Sequence, residues 1–231
     1  MEIEVYDDAD AVARAGAVLI AAQARAAVSA RGRFAFAVSG GKTPWIMLRA
    51  LADEDMPWNK VHLFQVDERV APAGHTDRNL THLNESLLTH IRLDGRVHAM
   101  PVEASDLQQA AKQYADALEA LAGAPPVLDL IHLGLGPDGH TASLVPDDPV
   151  LNVTDTDVAL TGVYQGRQRM TLTYPIIDRA RQILWLVTGR DKAEPLDRLL
   201  RSDPSIPAGR VKNRRSLVLA DRDAATNVQN K

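Results

Sequence analysis

The sequence predicts an α/β fold: an open, mostly parallel β-sheet covered by helices on both faces. Three observations lead there. Short apolar runs of β-type composition alternate with longer stretches of helical spacing along the whole chain. Several of those runs stop abruptly at glycine or charge, at Ser39 to Thr43, Asp67 to Arg69, Gly134 to His140 and Gly189 to Lys192. No linker, low-complexity tract or internal repeat breaks the alternation, so one domain over residues 1–231 is expected. Right-handed crossovers in such a sheet bring the loops that follow its strands to one edge.

In order, Ile3 to Tyr6 reads as a short strand. Asp7, Asp8 and Asp10 then offer N-cap chemistry to a long Ala-rich helix that Gly32 ends. Arg33 to Val38 is a strand broken at Ser39-Gly40-Gly41, and Thr43-Pro44 opens a helix to about Ala52, with proline where a missing N–H costs nothing. Val61 to Val66 is a third strand ending in the loop Asp67-Glu68-Arg69, and a helix runs from Asn79 to about Thr89. Val97 to Met100 reads as a short strand and Ser105 to Leu121 as a helix with Gly123 just beyond it.

The run from Leu128 to Leu135 is a buried strand. Val158 to Tyr164, Arg169 to Thr173 and Ile183 to Val187 follow as strands, with a helical turn around Ile177 to Ala180 between the last two. Thr188 to Lys192 repeats the step from strand through loop to helix. Ser216 to Leu219 is the last strand, before a polar C-terminal helix.

Composition narrows the function classes. Apolar residues make up 45% of the chain and charged residues 24%, which suits a globular protein, and the net charge of −4 argues against general nucleic-acid binding. The absence of cysteine excludes disulfides, a thiol nucleophile and thiolate metal sites. No run reaches the roughly 18 consecutive apolar residues of a membrane span, and the acidic start lacks the form of a signal peptide. A cytoplasmic location is expected.

Two motif matches mislead. Gly41-Lys42-Thr43 suggests a nucleotide phosphate loop, but that motif needs a glycine where Phe36 stands. Gly134 to Gly139 formally satisfies a dinucleotide fingerprint, yet Pro146 and Pro149 truncate the long helix that should follow, and the match lies past mid-chain. What remains is chemistry of another kind. Ser39, Gly40, Gly41, Lys42 and Thr43 before a helix make an anion cradle suited to a single phosphate. His140 follows a glycine loop containing Gly136, with Asp138 two residues away; an imidazole there can take and return a proton near neutral pH. His62, His82, His90, His98 and His132 read as structural or surface residues, and His75 stays open. No spacing of His, Asp and Glu suits a metal.

Together SGGKTP at 39–44, VHLFQVDERVAP at 61–72, LGLGPDGHTASLVP at 133–146, RMTLT at 169–173 and TGRDK at 188–192 resemble the 6-phosphogluconolactonase family, related to the glucosamine-6-phosphate deaminases and isomerases. The resemblance implies a modified Rossmann topology and hydrolysis of 6-phospho-D-glucono-1,5-lactone, a small-molecule sugar phosphate, without metal or cofactor. It implies His140 as general base, Asp67 or Asp138 orienting it or holding sugar hydroxyls, and Arg69 or backbone N–H groups of the 134–139 loop at the oxyanion. Ser39 to Thr43, Arg169 and Lys192 would hold the phosphate. No nucleic-acid or membrane partner is expected, and the chain would act as a monomer or homodimer.

Two rivals are weaker. In the deaminase branch a glutamate five residues after the histidine completes a proton-transfer pair; here that position is Val145. A non-catalytic sugar-phosphate regulator predicts a degraded base and usually an added DNA-binding module. One departure stands out: many lactonases have serine before the asparagine at position 79, where this chain has Arg78, either an extra substrate-site cation or, as expected, a solvated side chain.

Overall fold

The computed structural model describes residues 1–212 and 214–228. Along the chain, β1 (Glu2–Tyr6) leads into α1 (Ala9–Arg31) and β2 (Phe34–Val38) into α2 (Lys42–Leu51). After them come β3 (Val61–Gln65), β4 (Asp67–Arg69), α3 (Asn79–Leu83), β5 (Val97–His98) and α4 (Leu107–Ala122). The second half runs β6 (Leu130–Gly134), β7 (Val158–Leu160), β8 (Arg169–Leu172), α5 (Tyr174–Arg179), β9 (Ile183–Val187), α6 (Ala193–Leu200) and β10 (Ser216–Asp221).

The main sheet has the order β1-β10-β9-β6-β2-β3-β5, and all its pairs are parallel. Its strands are apolar on both sides because both sides are covered. In β2, Phe34, Phe36 and Val38 face one core while Ala35 and Ala37 face the other. In β9, Leu184 and Leu186 join the first, and Ile183, Trp185 and Val187 join the second. Helices α1 and α2 cover the first face through Ile20, Met47 and Leu48; α4, α5 and α6 cover the second through Leu118, Ile177 and Leu196. The expected doubly covered sheet is there.

Helix α1 is long and apolar enough by composition to cross a membrane, but its buried face (Ala13, Ala17, Ile20, Ala21, Ala24) packs within the fold. The Asp8 carboxylate caps it by accepting from Ala11 N–H at 2.8 Å, an interaction typically worth about 1 kcal/mol. At its other end Gly32 takes a left-handed conformation (φ 75°) and donates to Val28 O.

Three sequence expectations need correction. Asp67-Glu68-Arg69 is a strand rather than a loop: β4 pairs antiparallel with β8, and β8 with β7, in a small second sheet of order β4-β8-β7. The stretch read as one strand from Val158 to Tyr164 therefore ends at Leu160 and continues towards a hairpin tip. The expected C-terminal helix is a short 3-10 turn over Ala224–Asn227, its first N–H caught by the Asp221 carboxylate at 2.8 Å; residues 229–231 lie outside the described residues.

Candidate active site

Strands β2 and β6 are neighbours, but the chain leaves β2 towards β3 on one side and the sheet continues from β6 to β9 on the other. Such a reversal opens a crevice at the carboxyl ends of the strands. A cleft of 660 Å³ lies there, lined by Ser39, Gly40, Gly41, Lys42 and Thr43 after β2 and by Asp67 and Arg69 of β4. Gly136 and His140 after β6, Arg169 of β8 and Lys192 after β9 complete the set named from sequence. Only Asp138 stands back from the cleft, behind His140. A larger cavity of 1010 Å³, lined by residues such as Tyr174, Asp178 and Arg210, has no imidazole in its wall. The sequence-named imidazole lines the smaller cleft.

His140 and Asp138 form a dyad. The imidazole Nδ1 lies 2.5 Å from Asp138 Oδ1, and the backbone N–H of His140 donates to the same oxygen at 3.2 Å. The hydrogen bond from the His140 side chain holds the Asp138 carboxyl well below the usual carboxylate range, against the opposing pull of burial. An ionised carboxylate only accepts, so Nδ1 carries a proton, and in the neutral ring Nε2 is then the nitrogen with the lone pair. Asp138 Oδ2 accepts from Tyr164 Oη at 2.8 Å, so both carboxylate oxygens are engaged. The loop needs glycine for this: a Cβ on Gly136 would sit 2.0 Å from His140 Nδ1. Gly136 and Gly139 spend their N–H groups on His140 O and Gly136 O, which removes those two donors as oxyanion ligands.

The opposite wall is cationic. Arg69 and Arg169 are register partners across β4 and β8, so two guanidinium groups share one face of the small sheet. Like charges placed opposite each other are unfavourable until an anion joins them. Arg169 is 4% exposed, and its Nη groups reach Ser143 Oγ (3.5 Å) and Gln165 Oε1 (3.3 Å). Burial, and after it the charge of Arg69, lowers the Arg169 pKa. The Nε atoms of both arginines are buried with no hydrogen-bond partner among the described residues. Helix α2 starts with no side chain capping its N-terminus, and Thr43 Oγ1 meets Thr188 Oγ1 at 2.6 Å, tying the loop after β2 to the loop after β9. Lys192 Nζ there lies 2.8 Å from Asp191.

Asp67 is separate from the dyad. Its Oδ2 accepts from Ser143 Oγ at 2.7 Å, and Asn79 Nδ2 bonds its main-chain oxygen at 2.9 Å. Asn79 Oδ1 in turn accepts from Arg69 Nη1 at 2.9 Å. A Cβ on Gly40 would collide with that amide oxygen at 2.1 Å, so the glycine of the anion loop also makes room for Asn79. Beneath the loop, His132 is fully buried, its pKa pushed down to about 3 by burial, and Nδ1 accepts from Ser39 N–H at 3.3 Å. That N–H is therefore already engaged.

Arg78 is not solvated. It is 2% exposed, with Nε 3.2 Å from the fully buried Glu68 Oε2 and Nη1 bonded to Ala71 O and Glu103 Oε1. Among the described residues Arg78 is the one charged side chain paired with Glu68; its other contacts there are neutral donors from Gln65, Arg69, Asn79 and Leu80. Sequence reading also missed Tyr164, Gln165, Asn79 and Ser143. The available signal was Gln165-Gly166 between two β-type runs, a two-residue hairpin turn.

Residues 7–219 match the family model described as glucosamine-6-phosphate isomerases/6-phosphogluconolactonase. The chain belongs to that family. A 6-phosphogluconolactonase of Mycobacterium tuberculosis is 37% identical over 96% of both chains, and one of Synechocystis sp. is 37% identical over 88% of both. Among solved structures of the glucosamine-6-phosphate isomerase/6-phosphogluconolactonase family, the 6-phosphogluconolactonase of Trypanosoma brucei superposes with a TM-score of 0.84 at 27% identity, covering 98% of each chain. A monomeric glucosamine-6-phosphate deaminase superposes with a TM-score of 0.86 at 18% identity, covering 98% of this chain and all of its own. Backbone likeness thus spans both chemistries of the family.

Proposed function

We propose that this protein hydrolyses 6-phospho-D-glucono-1,5-lactone to 6-phosphogluconate by general-base activation of water. One observation carries the reading: His140, held through Nδ1 by Asp138, shares a cleft with the Arg69–Arg169 pair. In this mechanism His140 Nε2 takes a proton from water as its oxygen attacks the lactone carbonyl. Arg69 faces the oxygen that becomes negative. Collapse of the tetrahedral intermediate breaks the bond from the carbonyl carbon to the ring oxygen, and His140 returns its proton to that oxygen. The products are a free hydroxyl and a carboxylic acid, which releases the second proton of the water to solvent and leaves as the carboxylate. Asp67, not committed to the imidazole, holds sugar hydroxyls, while Asp138 orients and charges the base.

The phosphate is assigned to Arg169, Lys192 and the uncapped start of α2 with Ser39 to Thr43. Removing Arg169 or Lys192 is expected to weaken kcat/KM for the phosphorylated lactone roughly ten-fold or more while sparing the unphosphorylated one, because each supplies charge to the anion. Steady-state comparison of the two lactones checks this; equal loss on both would make these residues structural.

Deamination is disfavoured at Val145, which is 2% exposed and has no proton to transfer where that chemistry needs an acid. The deciding experiment is acid release from freshly made 6-phosphogluconolactone beside ammonia release from glucosamine-6-phosphate. Acid release well above the spontaneous rate, without ammonia, is expected; ammonia production, or acid release at the spontaneous rate, would overturn the reading.

A further inference from the structure

The β7–β8 hairpin reaches back over the cleft, and the mechanism above leaves its tip unused. Tyr164 and Arg167 exchange backbone hydrogen bonds at 2.9 and 3.2 Å around Gln165 and Gly166. Both central residues have positive φ, 51° and 78°, the requirement of the tight turn that matches strand twist. The tip is fastened on two sides. On one, Arg167 Nε donates to Asp77 Oδ2 at 2.9 Å and its Nη2 lies 3.2 Å from His75 Nε2. On the other, Tyr164 Oη donates to Asp138 Oδ2 at 2.8 Å.

Tyr164 touches both halves of the site. Its ring meets His140 edge-on with centroids 5.6 Å apart, and the Arg169 guanidinium lies 4.8 Å over its face. We infer that Tyr164 is a positioning residue of the reaction: it pins the carboxylate that orients the base and fixes the arginine opposite. The inference rests on the lactonase reading only for its kinetic arm.

The hydroxyl acts with a definite sign. Burial first, and the Asp138 hydrogen bond second, raise the Tyr164 pKa, so the phenol stays protonated and donates. A donor on Asp138 Oδ2 draws charge from the oxygen facing His140 and so moderates the pull of the carboxylate on the imidazole proton. The charged groups around it are Asp138 and His140 after β6 and Arg169 on β8. Behind Arg169 stand Arg69 and Asp67 on β4. Removing the hydroxyl favours the protonated Asp138–His140 pair.

The test uses Tyr164→Phe and Tyr164→Leu in the full chain. In Tyr164→Phe the acidic limb of the kcat/KM profile, which reports that pair, should move to higher pH by about half a unit, with KM little changed. The His140 imidazole resonances, assigned by their absence from His140→Ala, should show the same displacement in an NMR titration. Tyr164→Leu also removes the platform under Arg169 and should raise KM for the phosphorylated lactone several-fold. Superimposable pH profiles and titrations for Tyr164→Phe and the parent would overturn the proposal, as would an unchanged KM in a folded Tyr164→Leu. The NMR arm needs no turnover. A parent without lactonase activity would defeat the functional reading and still leave the positioning claim measurable.

Discussion

His140→Ala is expected to keep its fold and lose lactone hydrolysis by about 10²–10⁴-fold in kcat, the usual contribution of a positioned general base. The side chain is 22% exposed on the cleft wall, so truncation opens space into the cleft rather than a void in the core. Asp138 would keep its hydrogen bond from Tyr164, and Gly136 would still donate to the backbone oxygen of residue 140. Stability should thus be nearly unchanged while the proton acceptor disappears. Residual rate should persist, because the Arg69–Arg169 pair and the phosphate cradle act without the base. A rapid assay that subtracts spontaneous hydrolysis measures the loss. Near-parental kcat would remove His140 from the mechanism, and an unfolded variant, seen as a lost thermal transition, would move it to the scaffold.

How much of this was legible in the sequence depends on where the determining partner lies. Strands β2, β6 and β9 announced themselves because each is a mostly apolar run with glycine at its end or two residues beyond, and at two of them the glycine matters to the site itself. Gly136 admits the dyad and Gly40 admits Asn79. His140 and Asp138 could be paired from sequence because they are two residues apart on one loop.

The small sheet was hidden for a physical reason. Strand β4 is three residues, all charged, and so short a segment shows no period of two. Its strand character comes from pairing with β8, about a hundred residues later, which also creates the Arg69–Arg169 juxtaposition. With β8 read only as a strand and given no partner, neither the juxtaposition nor the return of Tyr164 to Asp138 could be foreseen. The division of labour between the two aspartates followed the same rule, since Asp67 is claimed by Ser143, a distant residue.

Arg78 is the sharpest case of a misread charge, and it carries the largest expected effect on stability. Replacing it with alanine leaves the buried Glu68 without its counter-ion, a change that typically costs about 3–5 kcal/mol. Several neutral donors remain on Glu68, from Gln65, Arg69, Asn79 and Leu80, and they place the expected loss towards the lower end. For a chain of this size the melting temperature should fall by roughly 6–20 °C. Glu103→Gln, removing a partner that is 53% exposed, should cost at most about 1 kcal/mol, which separates the buried pair from the surface one. Adding Glu68→Gln to Arg78→Ala should recover part of the loss, because a neutral amide tolerates burial better than a lone charge; the coupling in that double-mutant cycle measures the pair directly. Activity should fall as well, since the backbone N–H groups of Arg69 and Asn79 both end on Glu68 and a loosened carboxylate frees Arg69, the residue proposed for the oxyanion. A melting temperature within a degree or two of the parent, read by calorimetry, would mean that water replaces the guanidinium and that Glu68 alone holds β4 to α3.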